Sequence, residues 1–231
     1  MAKRKKIARS TQVFIAALNE EEGIGLTIAD LKDHLRNPKI MVVDGNSFDR
    51  TAEVAETMGA EVVFQDGLGK GDAIAKAIKC SDLVSDYVVI TDADYTYPAE
   101  YIPEMISILD GMPEVGMVCG NRFNGNVDPE ALRNMFYFGN QLISYAYNVL
   151  NGVHLEDPLT GLRVVRSEIL KDWKVKSKGF DIEVELNHQV ERKGFGIIEI
   201  PIQYRRRIGE KKLKARHGAT ILKRMILEAT Y

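Results

Sequence analysis

Short apolar runs alternate with helical patterns along the first half of this chain, and no other feature narrows its fold as much. Val13 to Leu18, Ile40 to Val43, Glu61 to Phe64, Tyr87 to Ile90 and Val115 to Cys119 read as strands. Helical patterns from about Glu22 to Arg36, from about Thr51 to Met58 and from Asp72 to Lys79 fill the gaps, and another helix starts near Pro98. Strands of this length joined through helices predict an α/β fold with a mostly parallel central sheet and helices on both faces. The rhythm changes after Asn121. Pro129 to Asn151 predicts a long helix rich in aromatic residues, Lys178 to Lys193 a further helix, and Ile197 to Tyr204 a late strand. Gly218 to Thr230 sets Ile221, Leu222, Met225 and Ile226 against Lys223 and Arg224, the pattern of an amphipathic helix.

The 231 residues, 45% of them hydrophobic, suffice to bury a core without covalent staples. Cys80 and Cys119 are the only cysteines, and neither belongs to a CxxC or Cys/His cluster. That argues against a disulfide framework or a structural zinc site and fits a reducing cytosol. No apolar run approaches the ~20 residues of a membrane-spanning helix, and MAKRKKIARS lacks the apolar segment of a signal peptide. A soluble or membrane-peripheral protein is expected. The net charge of −2 is unevenly placed: Lys3 to Arg9 holds five basic residues and no acid, and Arg205 to Tyr231 holds nine basic residues against Glu210 and Glu228. An acidic body with two basic ends suits contact with lipid headgroups or phosphates, although a solvated tail explains Lys3 to Arg9 equally well.

Chemistry gathers at the strand ends. The strand from Tyr87 to Ile90 runs into Asp92-Ala93-Asp94, whose alternation sends both carboxylates to one side. Two hard oxygen donors at a carboxyl strand end suit Mg²⁺ or Mn²⁺, and that ion in turn suits phosphate oxygens. The other strands exit into Asn19-Glu20-Glu21-Glu22, Asp44-Gly45-Asn46-Ser47 and Gly120-Asn121-Arg122, so a nucleotide fits across one shared rim. Asp44 can accept from a base N–H, and Gly45 and Gly69-Lys70-Gly71 permit close backbone approach.

These segments resemble those of family 2 glycosyltransferases of the GT-A fold, and specifically polyprenyl-phosphate (dolichyl-phosphate) glycosyltransferases. The matching segments are AALNEEEGI, VVDGNSFDRT, GKGDAIAKAI, TDADYTYPAE, GNRF, DPLTGLRVVR, GFDIEVELN and YRRRIGEKKLKARHG, in that order. The resemblance implies a basic tail over residues 1–10 and one domain over 11–231, with a nucleotide-binding half at 11–123 and an acceptor-binding half at 124–231. It implies that Ala16, Leu18, Glu20, Val43, Lys70 and Ala93 contact the nucleotide, with Asp44 on the base. Asp92 and Asp94 match the metal-binding DxD. Arg122, Arg133, Arg207 and Lys212 would face the donor diphosphate and acceptor phosphate. Thr96 stands where similar mannose synthases often carry Gln, and Ala16 where they tend to carry Pro. The resemblance therefore favours UDP-GlcNAc or UDP-glucose over GDP-mannose.

The implied reaction is inverting transfer of a sugar to a polyprenyl or dolichyl phosphate. A prenyl phosphate is already an anion, so attack at the sugar C1 needs charge management more than a strong base. Glu183 or Glu185 would contact sugar hydroxyls, or else an Arg. The expected setting is the cytoplasmic membrane face, with the aromatic helix and the amphipathic Gly218 to Thr230 stretch in the interface, although packing of both stripes on the core or on a second subunit explains them nearly as well. The expected partners include a second copy of the chain and no nucleic acid. Two other classes compete. Asp92 to Thr96 fits the DxDxT loop of haloacid-dehalogenase-like phosphatases, although that motif normally follows the first strand. A nucleotide-sugar-binding module without transfer activity ranks third.

Overall fold

The computed structural model describes residues 10–123, 144–150, 154–210, 212 and 216–229. Seven strands, β1 (Thr11–Ala17), β2 (Lys39–Asp44), β3 (Glu61–Phe64), β4 (Tyr87–Asp92), β5 (Val115–Asn121), β6 (Arg163–Arg166) and β7 (Gly196–Pro201), form one sheet in the order β3-β2-β1-β4-β6-β5-β7. The helices are α1 (Glu21–His34), α2 (Thr51–Thr57), α3 (Lys70–Cys80), α4 (Ile102–Gly111), α5 at 144–150, α6 (Ser167–Leu170), α7 (Ile182–Arg192) and α8 (Arg216–Ala229). A 3₁₀ turn, Ala99–Tyr101, introduces α4.

Alternation along the strands builds two cores. Val13 and Ile15 of β1 pack on one face with Ile24 and Ile28 of α1 and Ile102 and Met105 of α4. Phe14, one residue out of phase, packs on the other with Ile74 and Ala77 of α3 and Leu186 and Val190 of α7. The pairs β1–β2, β1–β4, β2–β3 and β5–β7 are parallel, as the sequence predicts. The boundaries fall close to the expected ones, and β3 agrees at both ends.

One strand escaped the sequence reading. β6 lies inside DPLTGLRVVR and runs antiparallel between β4 and β5. It has only four residues and is bounded by Arg163 and Arg166, so it shows no apolar run long enough to announce a strand. The chain re-enters the sheet from its carboxyl rim, which forces the reversed direction and leaves residues 157–161 on that rim. The sheet draws β6 and β7 from the second half of the chain. Residues 1–9 of the basic tail, most of the expected 129–151 helix and Arg133 lie outside the described residues. Cys80 and Cys119 are both free thiols.

Candidate active site

The turn after β4 is held from below by α1. An added Cβ at Gly23 would sit 2.8 Å from the Ala93 carbonyl, so only glycine lets the helix approach this closely. The Thr27 hydroxyl donates to Ala93 O (3.2 Å) and accepts from the Tyr95 N–H (3.0 Å). Tyr95 sits at φ 64°, which turns the chain away after Asp94. Asp94 Oδ1 accepts from the Thr96 hydroxyl (2.6 Å) and the Thr96 N–H (3.2 Å). Thr96 thus orients the second carboxylate.

Two cations, each shared between two acids, meet these carboxylates. Lys70 Nζ, at the start of α3, lies 2.6 Å from Asp92 Oδ1 and 2.7 Å from Glu183 Oε1 on α7. It reaches both because the loops ahead of α3 and α7 join at the backbone, with Gly71 N–H on Gly179 O (3.1 Å) and Asp72 N–H on Lys178 O (3.3 Å). Arg207, beyond β7, pairs with both Asp94 Oδ2 and Glu20 Oε1. Burial opposes the Lys70 charge, but Asp92 and Glu183 outweigh it and hold the ammonium well above the usual lysine range. Burial likewise opposes the Asp92 charge, and Lys70 reverses the effect, leaving that carboxyl below its ordinary value. Asp94 goes the other way, raised by burial and by the charge of Asp92. Glu20 is pushed up to about 7, by burial above all.

These groups open on one cavity of about 350 Å³ at the carboxyl rim of the sheet. Of the residues singled out from the sequence, Ala16, Leu18, Glu20, Lys70, Asp92, Ala93, Asp94, Arg122, Arg207 and Lys212 line it. Val43 and Asp44 do not. Val43 belongs to the core against α3, and Asp44, fully buried, turns Oδ1 onto the Ser47 N–H (2.7 Å), so Gly45 lines the wall in their place. Asp44 Oδ2 is buried without a partner. Arg122 is turned toward protein: its guanidinium grips both Asp157 oxygens at 2.6 and 2.7 Å. Lys212 donates to Asn19 O (3.1 Å). Arg205 pairs with Asp30 at 2.8 Å.

The structure also separates Glu183 from Glu185. Glu185 accepts from the Lys176 and Ser177 N–H groups and faces Arg224, a structural role away from the cavity wall. Glu183 lines the cavity, and its Oε2 is buried with no partner. Further lining residues that sequence reasoning missed are Gln65, Tyr97, Gly161, Phe180, His217 and Ile221. Tyr97 and His217 fall within segments quoted for the resemblance, yet nothing local marked them as wall residues.

Among the described residues no cluster of three or more His, Cys, Asp or Glu side chains forms a metal cage. Asp92 and Asp94 still fit Mg²⁺ or Mn²⁺, because these ions are commonly held by one or two carboxylates and completed by substrate phosphates and water. Asp92 keeps 30% of its side chain exposed toward the cavity, enough to engage an entering ion.

The family model for glycosyl transferase family 2 matches residues 12–173. The chain is 33% identical over 220 residues to a dolichyl-phosphate hexose transferase of Haloferax volcanii, covering 94% of this chain and 92% of that protein. It is 28% identical to an undecaprenyl-phosphate mannosyltransferase of Micrococcus luteus, covering 87% of this chain and 86% of that one. Among solved structures, glucosyl-3-phosphoglycerate synthase of Mycobacterium tuberculosis in complex with UDP superposes with a TM-score of 0.75 at 20% identity, over 96% of this chain and 80% of that chain. The same enzyme with Mn²⁺, UDP-glucose and glycerol 3-phosphate gives 0.74 at 18% identity, over 96% and 80%. The shared fold is GT-A.

Proposed function

The chain belongs to glycosyl transferase family 2 and is a glycosyltransferase, and from that premise we propose that it moves a hexose from a nucleotide sugar onto a polyprenyl or dolichyl phosphate. The observation that carries this reading is the meeting of Asp92 and Asp94 with Lys70, Arg207 and Lys212 on one cavity. A leaving diphosphate and an attacking phosphate are both anions, and a site for their encounter needs cations on its wall. The acceptor class is supported by the two relatives, each named for transfer to a prenyl phosphate.

Asp92 and Asp94 would hold a divalent ion, which supplies charge neutralisation on the leaving diphosphate. Lys70 and Arg207, also held on the cavity wall by Glu183 and Glu20, would meet the phosphate oxygens. Lys212 is tied only to a carbonyl among its described contacts, so its charge is available to an entering phosphate. Glu183 Oε2, buried and unpartnered, suits a sugar hydroxyl. The phosphate nucleophile needs no proton removed, and single displacement inverts C1.

We favour UDP-glucose or UDP-GlcNAc as donor, in keeping with Ala16 and Thr96. GDP-mannose is the second reading, favoured by the mannosyltransferase relative. Asp92 closes the fourth strand rather than the first, which speaks against the phosphatase reading of DxDxT. No described helix is long and apolar enough to cross a membrane. Peripheral contact with an anionic membrane at the cytoplasmic face is proposed through α8, where Leu222 is 40% exposed beside Lys223. A homo-oligomer is compatible with the same surface. The test is a thermal-shift panel of UDP-, GDP- and dTDP-sugars with and without Mn²⁺, followed by transfer to a prenyl phosphate. One nucleotide class should stabilise the protein, the shift should vanish with EDTA and in Asp94→Ala, and transfer should fall at least ~100-fold in that variant. Equal shifts for all classes would refute base selection, and an EDTA-resistant shift would refute the metal.

A further inference from the structure

Arg163 opens β6 with only 1% of its surface exposed, and no carboxylate pairs with it among the described residues. Its guanidinium is spent on neutral oxygens instead. Nε donates to Thr160 O at 2.9 Å, Nη2 to Pro158 O at 2.7 Å, and Nη1 to the Asn187 side-chain oxygen. Asn187, wholly buried on α7, donates its own amide to Pro158 O at 3.1 Å. A desolvated cation without a counter-charge is a poor device for stability, since apolar residues of similar size often fill such places as well or better. What this one does is fix a turn.

The turn is residues 157–161, and it touches both kinds of charged group at the cavity. At one end Asp157 holds the Arg122 guanidinium bidentately and also accepts the Arg122 N–H (3.1 Å). At the other, the Gly161 N–H donates to the Tyr97 hydroxyl at 2.7 Å, and a Cβ on Gly161 would lie 2.5 Å from Asp92 Oδ2. The backbone of Gly161 is therefore the wall against which Asp92 rests. A shift of that wall by less than an ångström changes the room Asp92 has for an ion.

We infer that Arg163, with Asn187, is a positioning residue: it clamps the 157–161 turn by its carbonyls and through it sets Asp92 for the divalent ion, with Arg122 anchored on the same turn by Asp157. This rests on the function proposed above, and two readouts keep the two ideas apart. Peptide-resolved hydrogen exchange on the ligand-free protein reads the clamp itself. Arg163→Met should leave exchange in β1 and β4 unchanged while amides of 159–162 exchange at least ~10-fold faster, with Arg163→Lys in between. Titration of Mn²⁺ with the nucleotide that stabilises the wild type reads the consequence, and affinity should fall about 10-fold, as for other groups that orient metal ligands. Should Arg163→Met fail to fold, Asn187→Ala carries the same test, because it removes one side-chain arm and leaves the arginine. Wild-type exchange in 159–162, or loss of protection spread over β1 and β4 as well, overturns the clamp. Faster exchange in the turn with undiminished Mn²⁺–nucleotide affinity overturns its role at the site. A wild type that binds no nucleotide with Mn²⁺ refutes the transferase reading, and the exchange data still decide the clamp.

Discussion

Glu20 shows how one residue couples the site to pH. It is 5% exposed, its Oε1 is on Arg207, and its Oε2 is buried without a partner. Burial raises its carboxyl from the ordinary 4.5 to about 7 against the pull of Arg207 and Lys212. A carboxyl with its folded value above its unfolded one holds an extra proton in the folded state across that window. Its contribution to stability is therefore complete below about pH 4.5 and is lost as pH rises to about 7. Asp94, Glu191 and Glu199 are raised by burial too, so they add slope of the same sign in any variant that retains them. Glu20→Gln should remove its share, giving a Tm that declines less than the wild-type Tm between about pH 5 and pH 7. Calorimetry of the two proteins across that range checks this, and parallel curves would assign the titration elsewhere.

At the scale of elements, α8 is fastened to α7 through charge as well as through apolar contact. Arg224 lies among Asp181 (3.0 Å), Glu228 (3.2 Å) and Glu185 (4.0 Å), and Arg192 pairs with Glu228 from the other side. Ile221 and Met225 pack beneath with Val184. Arg224→Met leaves three largely buried carboxylates facing one another and should cost about 3 kcal/mol. Denaturant titration measures that loss. Because α8 brings His217 and Ile221 to the cavity, nucleotide affinity should fall with it. The same elements show what a sequence displays and what it conceals. β1 to β5 were legible because each is an apolar run with polar punctuation, and the arrival of Asp92 and Asp94 on one cavity because both follow directly from the carboxyl end of such a run. β6 was hidden because its flanking arginines are satisfied by carbonyls that no local pattern reveals. Glu183 and Glu185 were indistinguishable as letters two apart on a helix. Only the placement of Lys70 and of the Lys176–Ser177 backbone divides their tasks.

Across the whole molecule the sheet is not assembled in chain order. β6 pairs with β4 along Tyr87–Arg166, Val88–Val165, Val89–Val164 and Ile90–Arg163, and on its other side with β5. The first 123 residues alone would leave one edge of β4 and both edges of β5 unpaired, while the remainder would hold β6 and β7 without their partners β4 and β5. Segments 1–123 and 124–231 produced as separate polypeptides should therefore be poorly soluble apart and recover the native circular dichroism spectrum when co-expressed. A soluble, cooperatively melting 1–123 segment would contradict that expectation. During synthesis this arrangement imposes a wait. The seam between β4 and β5 stays open while the ribosome adds residues up to Arg166, so the nascent protein carries a tacky groove until its own later stretch arrives to seal it.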